Sequence, residues 1–351
     1  EITVLLGSNR PGGIDINLAG LAKQTFKDFE IIFVDGLYHR RHEGVLKLVE
    51  FYGIKQPFYH VPNHRYGTGP WGSTCAGYNT GFALAAGKFV VMLLDFGYAP
   101  PNWLAQHVEH LRSGNKFIMA PHEYRTLDTV NVKGNAPLYD FIEHHDRDKT
   151  LPYLERIAAM QAQRARFDDL TVFAHPFRPE DLDKFKREEW QEMKLDIETG
   201  PCEDTNLFNT KNESFPLTRI LEVNGMDENY DRGIGPGDPD LGLRLRRIGL
   251  EPWVVKEAVV HCMNPRRILP NVNLVLLPDD DVKLPSPDDH RWSRARGLGY
   301  FDEVKDGGHV RARNPFSIVD LRVQIWPWRE ISQRKSADLP KIVIPDQDYF
   351  R

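Results

Sequence analysis

Residues 76–95 read AGYNTGFALAAGKFVVMLLD, and the fold is decided here. The first half is small and apolar at helical spacing, so the sequence predicts a helix that Ser73 caps and that runs through Ala86, with Gly87 ending it as a left-handed residue. Lys88 to Leu94 is then a continuous apolar run with no polar alternation. A strand of that kind has both of its faces covered, which is the condition of a strand inside a parallel sheet. Asp95 closes the run, where the chain leaves the sheet.

The same grammar extends outward. Thr3–Leu6 is a buried strand, followed by the polar turn GSNRPGG at 7–13 and by Ile14, Leu18, Leu21 and Ala22 at helical spacing. Glu30–Val34 is a second strand, and Asp35 stands at its end. Pro101 and Asn102 open a helix with Leu104, Val108 and Leu111 on one face, and Phe117–Ala120 is a fourth strand. Strands alternating with helices predict an α/β fold with a mostly parallel central sheet and helices on both faces.

From His122 to Gly200 the chain turns charged and helix-prone, as in RPEDLDKFKREEWQEMKLDIE at 178–198, and reads as a helical insertion. A helix from Pro239 to Ile248 and strands around Trp253–Val255 and Ala258–His261 then resume the α/β pattern. Residues 266–351 hold eight prolines in 86 positions, which suits an irregular C-terminal extension rather than long helices. The expected organisation is therefore 1–121, 122–200, 201–265 and 266–351, the first and third segments forming the two halves of one body.

With 41% hydrophobic residues in 351, the chain carries enough apolar material for a core, and a disordered protein is excluded. Forty-five basic against 50 acidic residues leave a net charge of −5, which excludes a global footprint for nucleic acid or anionic membrane. Cys75, Cys202 and Cys262 lack any CxxC spacing, which argues against a disulfide scaffold or structural zinc and for a reducing, cytoplasmic setting. The longest apolar run, Phe89–Leu94, is too short to span a bilayer, so no transmembrane segment is expected.

Ligands of an open parallel sheet bind outside the carboxyl ends of its strands. Asp35 and Asp95 both stand there. A strand-end Asp most often caps the next loop, but two of them beside one crevice suit a nucleotide or metal site. The turn at 7–13 is not a P-loop, because Gly13 and Ile14 stand where Lys and Ser or Thr would follow Gly12. Its bare backbone can still approach a nucleotide, through Gly7, Asn9 and Arg10. Asp238 precedes Pro239, a favoured first helical residue, so it reads as a helix cap whose carboxylate stays ionised and able to accept a proton. Glycines at 233, 235 and 237 leave room in front of it. His261 ends an apolar strand; His107 and His110, and His144 and His145, read as surface pairs rather than metal ligands.

These residues together resemble the family 2 glycosyltransferases. ITVLLGSNRP (2–11) is similar to their first strand and loop, and QTFKDFEIIFVD (24–35) to their second strand with its base-contacting Asp. AGYNTGFALAAGKFVVMLLD is similar to the helix and strand that lead into their DxD region. LEVNGMDENYDRGIGPGDPDLGLRLRRIG (221–249) resembles their glycine-rich turn and catalytic helix, and AVVH (258–261) the strand whose terminal His can bind metal. The resemblance implies a GT-A fold and inverting transfer of a sugar from a nucleoside-diphosphate donor, a UDP-sugar ahead of a GDP-sugar. It assigns Asp35 to the base, Asp95 to ribose, phosphates and metal, Asp238 to the general base and His261 to the metal, with Mn²⁺ or Mg²⁺ as cofactor. Two departures stand out: Phe96 and Gly97 follow Asp95 where a second acid is usual, and Gly237 precedes Asp238 in place of an acid. A degenerate GT-A protein that binds nucleotide or glycan, or a sugar nucleotidyltransferase using Arg10 and Gly12, are the other readings. Asp288 stands where the QxxRW motif of processive synthases has Gln, before Arg291 and Trp292, so single addition is expected. Glycan, lipid-linked sugar, protein and modified DNA base all stay open as acceptor.

Overall fold

The computed structural model describes residues 1–8, 12–65, 74–127, 170–171, 175–187, 197–204, 208–231, 237–263 and 308–332. In chain order it begins with strand β1 (Ile2–Ser8), helix α1 (Ile14–Ala22), β2 (Phe29–Asp35), α2 (Tyr38–Phe51), β3 (Phe58–Val61), α3 (Thr74–Leu84) and β4 (Phe89–Leu94). There follow β5 (Gly97–Tyr98), α4 (Trp103–Arg112), β6 (Lys116–Met119), β7 (His122–Leu127), β8 (Phe185–Arg187), β9 (Gly200–Pro201) and β10 (Glu213–Pro216). The described chain ends with α5 (Leu217–Glu222), α6 (Gly237–Arg247), β11 (Glu251–Val254), β12 (Val260–Met263), α7 (Ile318–Ile325) and α8 (Trp328–Ile331). The main sheet has the order β3-β2-β1-β4-β10-β6-β11-β9. Strands β3, β2, β1 and β4 run parallel, β10 runs against both β4 and β6, and β11 is parallel to β6. A second sheet, β5-β12-β7-β8, stands beside it. This is the mixed α/β architecture that the sequence predicts.

Period-two alternation explains why the strands are apolar throughout. Leu5, Ile32, Val90, Met92, Phe117 and Met119 enter the core beneath α3, α5, α6 and α7. Val4, Ile31, Val91, Leu93 and Ile118 enter the opposite core, beneath α1, α2 and α4. Burying a Val, Leu, Ile or Phe side chain is worth roughly 1.5–3 kcal/mol, so a one-residue slip of β4 would cost several of these contacts at once.

Several sequence expectations are corrected. Helix α3 ends at Leu84, and Gly87 does not take a left-handed φ. Glycine is required there because a Cβ would lie 2.4 Å from the backbone nitrogen of Thr3. The last carbonyls of α3 are met instead from far along the chain. Arg322 donates to Ala83 O (3.2 Å) and Ala85 O (2.6 Å), and Arg329 donates to Leu84 O (2.5 Å) while pairing with Glu30 Oε2 at 2.5 Å. Within 266–351, then, residues 308–332 are an integral layer of the core, with Ile318, Leu321, Ile325 and Trp328 buried against it. Within 122–200, the described residues form β7, a 3₁₀ turn at Pro179–Lys184, β8 and the start of β9. Residues 188–196 of the helix-prone stretch lie outside the described residues, as do His144 and His145. His107 is not a surface residue: it is fully buried and bonded to Ser214 Oγ (2.8 Å) and Asn212 Oδ1 (3.1 Å). Strand β3 and helix α2 complete the parallel edge without a sequence expectation of their own.

Candidate active site

The carboxyl ends of β1, β2 and β4 carry Ser8, Asp35 and the residue after Leu94, Asp95. Register brings them level: Ser8 pairs with Asp35 and Gly7 with Leu94. Ser8 Oγ lies 3.1 Å from Asp95 Oδ2 and donates to it. Gly7 leaves room for Tyr78 of α3, whose Cε1 would be 3.4 Å from a Cβ at that position. Asn9 and Arg10 lie outside the described residues.

Asp35 is fully buried and its two oxygens are heavily used. Arg41 grips them with Nε at 2.7 Å and Nη2 at 2.8 Å, His60 Nε2 lies 2.8 Å from Oδ2, and the Leu37 amide donates to Oδ1 at 2.7 Å. Burial alone would raise its pKa, but Arg41 and His60 outweigh it and hold the group at about 2. Burial pushes His60 the other way, down to about 4, so this imidazole is neutral. Its Nε2–H then donates to Asp35, and its Nδ1 accepts from His42 Nδ1, 2.9 Å away. The result is a defined buried chain from His42 through His60 to Asp35.

Asp95 begins a sharp bend. Phe96 has φ 59° and is wholly buried, its ring 2.7 Å from where a Cβ on Gly13 would sit. A Cβ on Gly97 would lie 2.9 Å from Leu94 O. The position of a second DxD acid therefore has no space for a side chain, which is the physical reason the motif is reduced to Asp95.

The turn before β10 joins this strand end to helix α6. Lys211 O accepts from Leu94 N at 2.9 Å, Thr210 O accepts from the Tyr78 hydroxyl at 3.2 Å, and Thr210 Oγ1 donates to Asp238 Oδ1 at 2.8 Å. Helix α6 starts at Gly237, so Asp238 lies inside its first turn rather than at its cap. Burial raises the Tyr78 hydroxyl well above its usual range, and the charges of Asp238 and Asp95 add to this. Below, α6 is anchored by a buried Arg244–Asp240 pair (2.7 Å).

A second acidic group borders α3. Asp231 accepts from the Cys75 amide (2.7 Å) and the Ala76 amide (3.0 Å) at the helix start. Burial and the nearby Glu228 raise it to about 7 despite those two donors. Glu228 itself is paired with His64 (3.3 Å) and Arg65, and is held below the usual carboxylate range.

His261 lies on β12 opposite Tyr98, and its Nδ1 is 3.6 Å from Glu123 Oε1. Among the described residues no three His, Cys, Asp or Glu side chains converge where a metal ion could be held. With position 97 closed to a side chain, Asp95 is the acid that the strand-end loop offers among the described residues.

The sequence singles out Asp35, Asp95 and Asp238 as candidates, and the structure places Thr210 against Asp238 and Lys211 against the end of β4. Nothing in NTKNESF (209–215) signals a site; only its pairing with β4 and α6 does.

Among the described residues no helix is long and apolar enough to cross a membrane, and all three cysteines are free thiols. No protein-family model matches the chain, and no curated protein is similar to it in sequence. Among solved structures, the chain is similar to residues 1–349 of S. aureus TarS, at 12% identity and a TM-score of 0.47, over 95% of this chain and 71% of that one. The same protein in complex with UDP-GlcNAc is similar at 11% identity and a TM-score of 0.48, over 95% and 72%. GalNAc-T7 with UDP, GalNAc and Mn²⁺ is similar at 12% identity and a TM-score of 0.44, over 75% of this chain and 43% of that one.

Proposed function

We propose that this chain is an inverting glycosyltransferase of GT-A type that moves a sugar from a nucleoside-diphosphate donor, a UDP-sugar ahead of a GDP-sugar, to an acceptor hydroxyl. The observation that supports the reading is the turn at 210–211, which joins the strand end before Asp95 to Asp238: Lys211 O accepts from Leu94 N, and Thr210 Oγ1 donates to Asp238 Oδ1. In this reading Asp95 faces the donor, and Gly7 and Ser8 line the donor's approach. Asp238 takes the proton from the acceptor hydroxyl as that oxygen bonds to the anomeric carbon. The bond from the anomeric carbon to the diphosphate oxygen breaks, and its electron pair leaves on that oxygen. Attack from the face opposite the nucleotide inverts the configuration. Asp35, whose oxygens are taken by Arg41, His60 and the Leu37 amide, serves the base end of the site by fixing the loop at 36–38. Asp95 is the protein group that a Mn²⁺ or Mg²⁺ ion carried on the diphosphate would meet. The unpaired cysteines suit work in the cytoplasm. Incubation with UDP- and GDP-sugars tests the reading: slow donor hydrolysis that Asp238→Asn abolishes is expected. Donor binding without hydrolysis would favour the degenerate, binding-only alternative.

A further inference from the structure

We infer that the Lys211 ammonium binds the diphosphate of the donor, a role that rests on the glycosyl-transfer reading above. Lys211 occupies the turn that touches both catalytic ends: its carbonyl accepts from Leu94, the residue before Asp95, and its neighbour Thr210 donates to Asp238. Its Nζ has one polar partner, the neutral hydroxyl of Tyr124 at 2.7 Å, and sits 5.2 Å from the centre of that ring. No carboxylate neutralises this half-buried charge among the described residues. Among the described residues, Arg41 is paired with Asp35, Arg65 with Glu228 and Arg244 with Asp240.

The chemistry demands such a group. In the reading above a diphosphate brings negative charge beside Asp95 and Asp238, and the described residues build no three-ligand metal site. An ammonium is a compact point charge suited to phosphate oxygens. Tyr124 holds the flexible side chain in place without neutralising it, so the charge is available when the donor enters and when the diphosphate leaves.

The test is calorimetry in EDTA with UDP, uridine and inorganic pyrophosphate on the full chain, for wild type, Lys211→Met and Lys211→Arg, with thermal denaturation to verify folding. Wild type should bind UDP more tightly than uridine. Lys211→Met should lose roughly 10- to 100-fold in UDP affinity and all pyrophosphate binding, with uridine affinity unchanged, and Lys211→Arg should keep most of the UDP affinity. Equal UDP binding by wild type and Lys211→Met would overturn the assignment while leaving the transferase reading standing. A folded wild type that binds neither UDP, uridine nor pyrophosphate would overturn both.

Discussion

Thr210 Oγ1 donates to Asp238 Oδ1 across 2.8 Å, and Thr210 holds this position with a left-handed backbone, φ 53°. A β-branched residue at such a φ is strained by about 1–3 kcal/mol, and the surrounding turn must supply that energy. The bond fixes one oxygen of the proposed base. Asp238→Asn should lower transfer by about 10²–10⁴-fold with donor affinity and fold retained, because an amide cannot take the proton. Thr210→Val, which keeps the shape and removes the donor, should lower kcat roughly 10-fold with little change in the KM for donor. Steady-state kinetics with the transferred sugar decide it, and wild-type turnover in Asp238→Asn would reduce Asp238 to a structural residue.

Asp35 is expected to act on stability before it acts on ligand. Asp35→Asn leaves the Arg41 guanidinium buried without its counter-charge, which typically costs about 3–5 kcal/mol. Urea denaturation should show that loss, and calorimetry should show weaker uridine binding in whatever fraction stays folded. An Asp35→Asn protein as stable as wild type would mean that the Arg41 pair carries no weight.

The His42–His60–Asp35 chain gives stability an acid limb. His60 is depressed from 6.5 to about 4, so the stability it contributes is complete above pH 6.5 and is lost as pH falls through 4. Asp231 works in the opposite direction: raised from 3.8 to about 7, it costs stability above pH 7 and is relieved as pH falls toward 3.8. The informative quantity is therefore wild type minus His60→Gln. That difference should shrink by about 3 kcal/mol between pH 7 and pH 4, measured by denaturation at each pH. A constant difference would show that His60 does not carry the titration.

Arg329 ties the chain's far end to α3 and Glu30, over the Tyr59 ring at 4.0 Å. Arg329→Met keeps the apolar stem and strands the mostly buried Glu30 carboxylate. The expected loss is about 3 kcal/mol, seen as a lower midpoint in urea. The double variant Arg329→Met with Glu30→Gln should recover part of it, and recovery of nothing would point to lost packing rather than lost charge.

The last expectation concerns metal. Mn²⁺ titrated into the nucleotide-free protein should give no saturable heat, because position 97 is closed to a side chain and no three ligands converge among the described residues. Tight binding that His261→Ala abolishes would instead mean that Asp95 and His261 hold the ion without nucleotide.

Much of this architecture is written locally. KFVVMLL carries no polar alternation, so its strand must be buried on both faces, and that single fact implies the parallel sheet with helices above and below. Asp35 and Asp95 end such runs, so their place at the carboxyl edge of one parallel sheet follows as well. The sequence could not say where those carboxylates would look, because a side chain's partners come from other elements. Arg41 is six residues away from Asp35, but His60 is 25 away and arrives only when β3 pairs with β2. Phe96 and Gly97 read as a missing acid; the fold shows a position where a Cβ would strike Leu94 O. Thr210 and Lys211 carry no motif, and they reach Asp238 and the end of β4 because β10 runs antiparallel between β4 and β6. Arg322 and Arg329, in a stretch whose prolines suggest an irregular extension, cap a helix some 240 residues earlier. Periodicity fixes which faces are buried because burial is a local demand on each element; the partners of charged groups are settled only when distant elements meet, because an ion pair depends on position in space and leaves no trace in spacing.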